Sequence, residues 1–146
     1  MIDFLGDVLA QRVPTVVHGV QHDFHWEWLA AGVLSFTPKQ AYEKAVVLSA
    51  GVHGNETAPI ELLAQLSQDL FAGALELKVK LLLILGNPIA IRTEQRYVEN
   101  DMNRMFCGAY QQFNDTVEAQ RVAVLEQIVT AFFNDSPAQV LSLIHI

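Results

Sequence analysis

The stretch that decides the fold is Ala45-Val46-Val47-Leu48-Ser49-Ala50-Gly51-Val52-His53-Gly54-Asn55-Glu56-Thr57-Ala58-Pro59-Ile60-Glu61. It begins as an apolar run with β-branched residues, which is typical of a buried strand. Glycines at positions 51 and 54 interrupt the run, and a pattern of helical period follows Pro59. The stretch therefore predicts a strand, a turn that holds His53 and Glu56, and a helix. In a mostly parallel sheet such a turn lies at the carboxyl ends of the strands, where α/β proteins bind ligands.

The residue types in this turn indicate a metal site. Neutral imidazole and carboxylate both ligate zinc, and a catalytic zinc commonly takes two histidines and one glutamate and keeps a fourth position for water. His53 and Glu56 stand three residues apart, and the flexible Gly54-Asn55 pair between them permits the bend that would bring them together. A lone pair at this spacing also occurs by chance, so the residues alone leave open that both are ordinary polar turn residues.

A second block of sequence lies downstream of the turn. It comprises Gly86-Asn87-Pro88-Ile89-Ala90, followed by Arg96-Tyr97-Val98-Glu99-Asn100-Asp101-Met102-Asn103-Arg104-Met105-Phe106. The turn and this block, in this order and at this distance, resemble the succinylglutamate desuccinylases, which are relatives of aspartoacylase within the zinc carboxypeptidase-like group. The resemblance extends roughly over residues 4–133.

The resemblance implies a zinc carboxypeptidase-like, truncated α/β fold, a mixed, mostly parallel sheet flanked by helices. Residues 1–146 would be the N-terminal part of a single zinc-hydrolase catalytic domain, with about 137–146 a divergent or non-native tail. In the family a strand at this point carries D-L-H, whose histidine is the third zinc ligand. Here the sequence is Leu141-Ser142-Leu143-Ile144-His145-Ile146, so His145 is either a shifted third ligand or part of an unrelated tail. The general-base glutamate of the family is expected beyond residue 146.

The resemblance also assigns roles to residues of the second block. It implies that His53 and Glu56 bind one Zn²⁺, and that Arg96, Asn103 and Arg104 bind a substrate carboxylate or polarise the scissile carbonyl. A guanidinium can grip a carboxylate with two parallel hydrogen bonds. Asp101 is expected to support the orientation of an arginine. The residues alone allow another interpretation, in which the two arginines are exposed and pair with Glu99 and Asp101.

The implied function is zinc-dependent amide hydrolysis of a small acidic acyl-amino acid. N-succinyl-L-glutamate and water would become succinate and L-glutamate, as in bacterial arginine catabolism. Within the enzyme class, the alternatives are a related N-acyl-amino-acid hydrolase of the aspartoacylase type and a carboxypeptidase. A different class is a non-catalytic fragment that binds a metal or a carboxylate. Without the general base, we expect these residues alone to bind zinc weakly and to turn over little.

Composition excludes several other function classes. The chain has 146 residues, 51% of them apolar, and a net charge of −7, which argues against a nucleic-acid or phospholipid surface because both need a basic face. No apolar run is long enough to cross a membrane and no signal peptide is visible. The single cysteine, Cys107, fits a reducing compartment, so we expect a cytoplasmic protein with Cys107 as an inert residue. His18, His22 and His25 fit no ligand pattern and are interpreted as solvated histidines.

Periodicity and turn signals predict the remaining elements. Gly32 marks a hairpin turn, and Asp115 with Glu118 three residues later has the spacing of a capping box. The segment 86–108 shows no periodicity and is predicted to be a long functional loop. The predicted helices cover about 1–12, 58–71 and 115–134, and the predicted strands cover 15–19, a hairpin within 24–36, 78–85 and 139–146.

Overall fold

The computed structural model describes residues 2–113, 115–138 and 140–146. The helices are α1 (Phe4–Leu9), α2 (Thr57–Ala72), α3 (Pro88–Arg92) and α4 (Val117–Asn134), with 3₁₀ turns at Met102–Arg104 and Ala109–Gln112. The strands are β1 (His18–Gln21), β2 (Phe24–Ala30), β3 (Val33–Pro38), β4 (Lys44–Ala50), β5 (Lys80–Leu85) and β6 (Val140–His145). The predicted elements are confirmed in type, although residues 1 and 139 of the first predicted helix and the last predicted strand lie outside the described residues.

The strands form one sheet in the order β1-β2-β3-β5-β4-β6. The pairings β1–β2, β2–β3 and β3–β5 are antiparallel, whereas β4 pairs in parallel with β5 and with β6. The prediction of a mostly parallel sheet is therefore wrong, and the sheet is mixed. The reason is that the three N-terminal strands contribute three antiparallel pairings, the last of them between β3 and β5, against two parallel pairings made by β4.

The parallel pair β4–β5 is the predicted strand–helix–strand unit. Its register runs from Ala45 opposite Lys80 to Ala50 opposite Leu85, so both strands end at the same level. Every residue of β5 is buried, as expected for a strand covered on both faces. The intervening helix α2 ends at Gly73, whose φ of +74° is the left-handed conformation that glycine adopts without strain.

Apolar side chains cover the sheet on both faces. One face packs against α1 and α2 through residues such as Phe4, Leu63 and Leu83. The opposite face packs against α4 through residues such as Leu82, Val122 and Leu125. The sheet is thus the middle layer between helices, which is the usual way for a sheet to bury two apolar faces. No helix formed by the described residues has the length and apolar character that crossing a bilayer requires.

Three local predictions need correction. The first strand begins at His18 rather than at residue 15, because it is an edge strand whose extent follows its pairing with β2, from His18 opposite Glu27. Segment 86–108 is not without regular structure: Asn87 caps the short helix α3 by accepting a hydrogen bond from the amide of Ala90. The cap of α4 is not Asp115 but Thr116, whose hydroxyl accepts from the amide of Ala119 at 3.2 Å.

Two cations, the half-buried Arg121 and the buried Lys80, connect helix α4 to the sheet. The guanidinium of Arg121 donates to the backbone carbonyls of Ala31, Leu85 and Gly86, and its burial lowers the pKa of Arg121 to about 10. Lys80 of β5 donates to the carbonyl of Phe132 at 3.0 Å, near the end of the helix. Cations near a helix C-terminus also interact favourably with the helix dipole.

Gly54 lies where the turn after β4 packs against α3. A Cβ atom at this position would overlap the backbone of Ala90 and Ile91, which is part of the helix and cannot rotate away as a side chain would. Gly108, by contrast, has a φ of +80° and nothing within 4 Å of an added Cβ. Gly54 is therefore required because there is no space for a side chain, whereas Gly108 is favoured only by its left-handed backbone conformation.

We expect Gly54→Ala to lower the free energy of unfolding by about 3 kcal/mol, because backbone must move to admit the methyl group. Gly108→Ala should cost about 1 kcal/mol, since only the left-handed backbone conformation disfavours alanine. Urea unfolding of both variants measures the difference. Equal costs would contradict the close approach of the turn to α3.

Candidate metal centre and arginine loop

His53 and Glu56 lie together in the turn after β4. His53 is 6% exposed, and its Nδ1 is 3.0 Å from Oε1 of Glu56. Glu56 occupies the N-cap position of α2, but its side chain makes no capping hydrogen bond because it faces the imidazole instead. The predicted convergence of these two side chains is therefore what the turn produces.

The segment from Arg96 to Arg104, which we call the arginine loop, packs against this turn. Oδ1 of Asp101 lies 3.0 Å from His53 Nε2, and Nδ2 of Asn103 lies 3.4 Å from the same nitrogen. A backbone hydrogen bond from Gly54 to the carbonyl of Arg96, at 3.3 Å, joins the two segments. The structure thus brings the predicted metal turn and the predicted substrate loop to one edge of the sheet.

The imidazole of His53 has a carboxylate oxygen at each ring nitrogen. A protonated imidazole would donate to both carboxylates. A neutral imidazole carries one N–H and can donate to only one of them, so the other contact would set lone pair against lone pair. A cation shared by Nδ1 and Glu56 removes this conflict and leaves Nε2–H to donate to Asp101. Two ligands of a tetrahedral zinc, each about 2.0–2.1 Å from the metal, lie roughly 3.3 Å apart, close to the separation seen here. The pair therefore fits a zinc ion, with Asp101 in the supporting position that carboxylates often take behind a ligating histidine.

The structure places His145 away from this pair. His145 lies opposite Ser49 in the β4–β6 register, and its Nδ1 is 2.8 Å from the Ser49 hydroxyl. Among residues 2–113, 115–138 and 140–146, no group of three or more His, Cys, Asp or Glu side chains could hold a metal ion. The described residues thus bring together two candidate ligands, and a third would have to approach the open side of Glu56, which is 51% exposed.

Asp101 contacts the histidine more closely than it contacts an arginine. Its Oδ2 lies 3.8 Å from the guanidinium of Arg96, at the limit of an ion pair, compared with 3.0 Å between Oδ1 and His53. Burial raises the pKa of Asp101, but hydrogen bonds from His53 and the Asn103 amide, together with the charge of Arg96, bring the pKa below its ordinary value. Asp101 is therefore an ionised acceptor for the imidazole first, and a partner of Arg96 second.

Both predicted arginines are open to solvent. The side chain of Arg96 is 58% exposed, and Arg104 is also exposed and makes no ion pair with any residue that the structure describes. Of the pairs considered for the alternative interpretation, only Arg96–Asp101 is present among the described residues. Two guanidinium groups near a candidate cation provide positive charge for an anionic ligand.

A cavity of about 480 Å³ lies beside this site, between the sheet and α4. Its lining is mostly apolar, and of the predicted site residues it includes only Asn103 and His145. Cys107 also lines it and is exposed, and His18, His22 and His25 are exposed elsewhere on the surface. The side chains of His53, Glu56, Arg96 and Arg104 are not among those that line this cavity.

Sequence reasoning missed one group that organises the site. Glu118 is fully buried, and its carboxylate accepts hydrogen bonds from the backbone amides of the arginine loop. The capping-box spacing concealed it, because a glutamate at that spacing is expected to turn back on its own helix. The signal that could have found it is position: Glu118 stands four residues before Val122 and seven before Leu125, within the buried stripe of α4.

Comparison with known proteins places this geometry in context. A family model described as the succinylglutamate desuccinylase/aspartoacylase catalytic domain matches residues 42–143, a span that contains every residue of the candidate site. Curated proteins named succinylglutamate desuccinylase, from Yersinia pestis (strain Pestoides F) and Yersinia pseudotuberculosis serotype O:1b (strain IP 31758), are each 51% identical over 136 residues. The match covers 93% of this chain and 41% of those proteins, so the chain spans well under half of their length.

Solved structures show the same relationship. The crystal structure of the succinylglutamate desuccinylase from Chromobacterium violaceum superposes with a TM-score of 0.85 at 35% identity, covering 96% of this chain and 44% of that one. A structure from Vibrio parahaemolyticus gives a TM-score of 0.83 at 26% identity, covering 91% of this chain and 46% of that one. In both superpositions the match includes nearly all of this chain but less than half of the solved chain.

Proposed function

The chain belongs to the succinylglutamate desuccinylase/aspartoacylase family, and we propose that it carries the metal-binding and carboxylate-binding part of a zinc-dependent amide hydrolase. The proposed reaction converts N-succinyl-L-glutamate and water into succinate and L-glutamate, as a step of arginine catabolism. The names of the similar proteins support the substrate. The observation that carries the proposal is the imidazole of His53 held between Glu56 and Asp101, with the arginine loop packed against it.

Each candidate residue has a distinct task in this proposal. His53 would ligate the zinc ion through Nδ1 and Glu56 through its carboxylate, while Asp101 accepts a hydrogen bond from Nε2–H and so keeps Nδ1 free of a proton. When bound, zinc supplies Lewis-acid polarisation of the scissile carbonyl and activation of a water molecule. Arg96 and Arg104 bind and orient the acidic ends of the substrate. Such fixed orientation lowers the entropic part of the barrier.

The amide side chain of Asn103 connects these tasks. Its Nδ2 lies 3.4 Å from His53 Nε2. Because both groups are donors when Nε2 carries its proton, they form no hydrogen bond with each other, and the NH₂ group is available for a substrate acceptor. The side chain is exposed, so a substrate carbonyl or carboxylate beside the metal turn could accept a hydrogen bond from its NH₂ group. This placement supports a role for Asn103 in orienting the substrate beside the metal.

We expect His53→Ala to abolish site-specific zinc binding, because the variant removes the more buried of the two ligands. His25→Ala is the matched control, since His25 is an exposed strand histidine distant in sequence from the turn. Calorimetric titration of each variant with zinc chloride measures the difference. Zinc affinity that survives in the His53 variant, or that disappears in the His25 variant, would contradict the metal assignment.

Arg104→Ala should weaken binding of N-succinyl-L-glutamate about 10–100-fold while sparing zinc, because a hydrogen-bonded ion pair to a carboxylate contributes roughly 1.5–3 kcal/mol. Lys44→Ala is the control. It removes the same charge at the amino end of β4, opposite the strand end that carries the site, and should leave the affinities for substrate and for zinc unchanged. Calorimetry with substrate and with zinc, separately, makes the comparison. A loss of affinity as large in the Lys44 variant would show that net charge alone attracts the ligand.

The family model also covers aspartoacylases, so the acyl group and the amino acid need their own test. We expect the zinc-supplied chain to bind N-succinyl-L-glutamate more tightly than N-acetyl-L-aspartate or a peptide ending in glutamate. The physical reason is that two separated carboxylates engage two arginines. Preference for N-acetyl-L-aspartate would favour the aspartoacylase-type alternative, and preference for the peptide would favour a carboxypeptidase.

A further inference from the structure

Near Arg96, the first candidate substrate-binding residue of the arginine loop, few apolar side chains of the loop are buried. Tyr97 and Val98 are 41% and 37% exposed, and residues 97–100 adopt neither helix nor strand. Irregular exposed segments of this kind open easily unless specific hydrogen bonds hold them. Bidentate recognition of a carboxylate requires a guanidinium held in a defined place. Something must therefore fix the backbone between Arg96 and Arg104.

The carboxylate of Glu118 is the group that contacts this backbone. Its Oε1 accepts from the amide of Val98 at 2.6 Å and from that of Glu99 at 3.2 Å. Its Oε2 accepts from Glu99 at 3.2 Å and from Asn100 at 3.3 Å. Three consecutive amides of the loop thus converge on one side chain, and charge-assisted hydrogen bonds to backbone N–H groups are among the stronger ones in proteins.

Glu118 is itself held in place from the sheet. Nδ2 of Asn87 donates to Oε1 of Glu118 at 3.2 Å, and Oδ1 of Asn87 accepts from Ala90, so the asparagine ties the carboxylate to the end of β5 and the start of α3. One turn later on α4, Arg121 donates to the carbonyls of Leu85 and Gly86. The loop is therefore connected through Glu118 to the same strand end that faces the metal turn.

The hydrogen bonds to Glu118 stabilise its ionised carboxylate. Burial raises the pKa of Glu118, but the hydrogen bonds from Val98, Glu99 and Asn87 lower it to below its ordinary value. An ionised carboxylate without exposure is costly unless its oxygens are fully bonded, and here donors from two segments bond them. Because Thr116 already caps α4, the helix does not need Glu118 for its own start.

We propose that Glu118 is a positioning residue for substrate recognition: by holding the amides of Val98, Glu99 and Asn100, it fixes the arginine loop so that Arg96 and Arg104 meet the substrate carboxylates beside the metal turn. The inference rests on the proposed function, since it assigns Glu118 to the recognition step of that reaction. Glu118 acts through the loop and touches neither the candidate metal ligands nor the arginine side chains among its hydrogen-bond partners.

The test compares Glu118→Gln with the unmodified chain by amide hydrogen exchange and by calorimetry. Glutamine keeps the size of the side chain, but it removes the charge and replaces one acceptor oxygen with a donor. In the unmodified chain, amides 98–100 should be protected from exchange, whereas those of Arg96 and Tyr97 should exchange freely, because the structure gives them no acceptor among the described residues. In the variant, amides 98–100 should exchange about tenfold faster or more, with amides of β4 and β5 unchanged.

Ligand affinities complete the same experiment. Binding of N-succinyl-L-glutamate, in the presence of zinc, should weaken about tenfold in Glu118→Gln, while zinc affinity stays unchanged. Glu126→Gln is the matched control, because Glu126 lies on the same helix and accepts from a single loop amide, that of Gly108, at 3.1 Å. It should alter exchange at Gly108 and leave substrate binding unchanged.

The outcomes distinguish the possibilities. Faster exchange throughout the chain would overturn the proposal by showing that Glu118 only stabilises the fold, and unchanged exchange at 98–100 would overturn the contacts themselves. Faster loop exchange with unaltered substrate affinity would reject the positioning role alone. Absence of substrate binding in the unmodified chain would instead reject the proposed function, and this inference with it. If the glutamine variant does not fold, the pattern of protection in the unmodified chain decides: unprotected amides at 98–100 overturn the proposal, and protected ones support it.

Discussion

Backbone pairing between β4 and β5 continues past the ends of both strands, and the candidate site depends on it. The amide of Gly86 donates to the carbonyl of Ala50, and that of Asn87 donates to Gly51, each at 2.8 Å. These two hydrogen bonds hold the loop after β4 and the loop after β5 side by side where they leave the sheet. This is why His53, from the loop after β4, meets Asp101, from the loop after β5, although 48 residues separate them.

The charged side chains at the two loops differ in whether other groups of the chain engage them. The chain carries a net charge of −7, yet residues 86–108 contain three arginines and three acids and are neutral. Two of the acids near the loop are engaged by hydrogen bonds: Asp101 with His53, and Glu118 of α4 with the loop backbone. Arg96 keeps only a long contact with Asp101, at 3.8 Å, and Arg104 makes no ion pair among the described residues. Both guanidinium groups are therefore exposed to solvent, where an anionic ligand could reach them.

The sequence predicted those features whose causes are local. The strand, the glycine turn and α2 were correct because hydrophobic period and chain breakers are read from neighbouring residues. The wrong predictions involve distant partners: the central position of β3 beside β5 made the sheet mixed, and the pairing of β1 with β2 moved its start to His18. Glu118 was misinterpreted for the same reason, because its partners lie 18–20 residues upstream and its local spacing matched a helix cap. The sequence singled out His53, Glu56 and Asp101 one by one as candidates, but the contact between the imidazole and Asp101 was visible only in the fold.

We propose that His53 and Glu56 share a cation, bound to His53 through Nδ1, while Nε2–H of His53 donates to Asp101. Long-range ¹H–¹⁵N correlation spectra of the histidine rings, recorded before and after addition of zinc, test it most directly. We expect the His53 Nδ1 resonance to shift to a metal-bound position, Nε2 to retain its proton, and the resonances of His18, His22 and His25 to stay unchanged. Zinc-induced shifts confined to those three histidines, with both nitrogens of His53 unaffected, would contradict it.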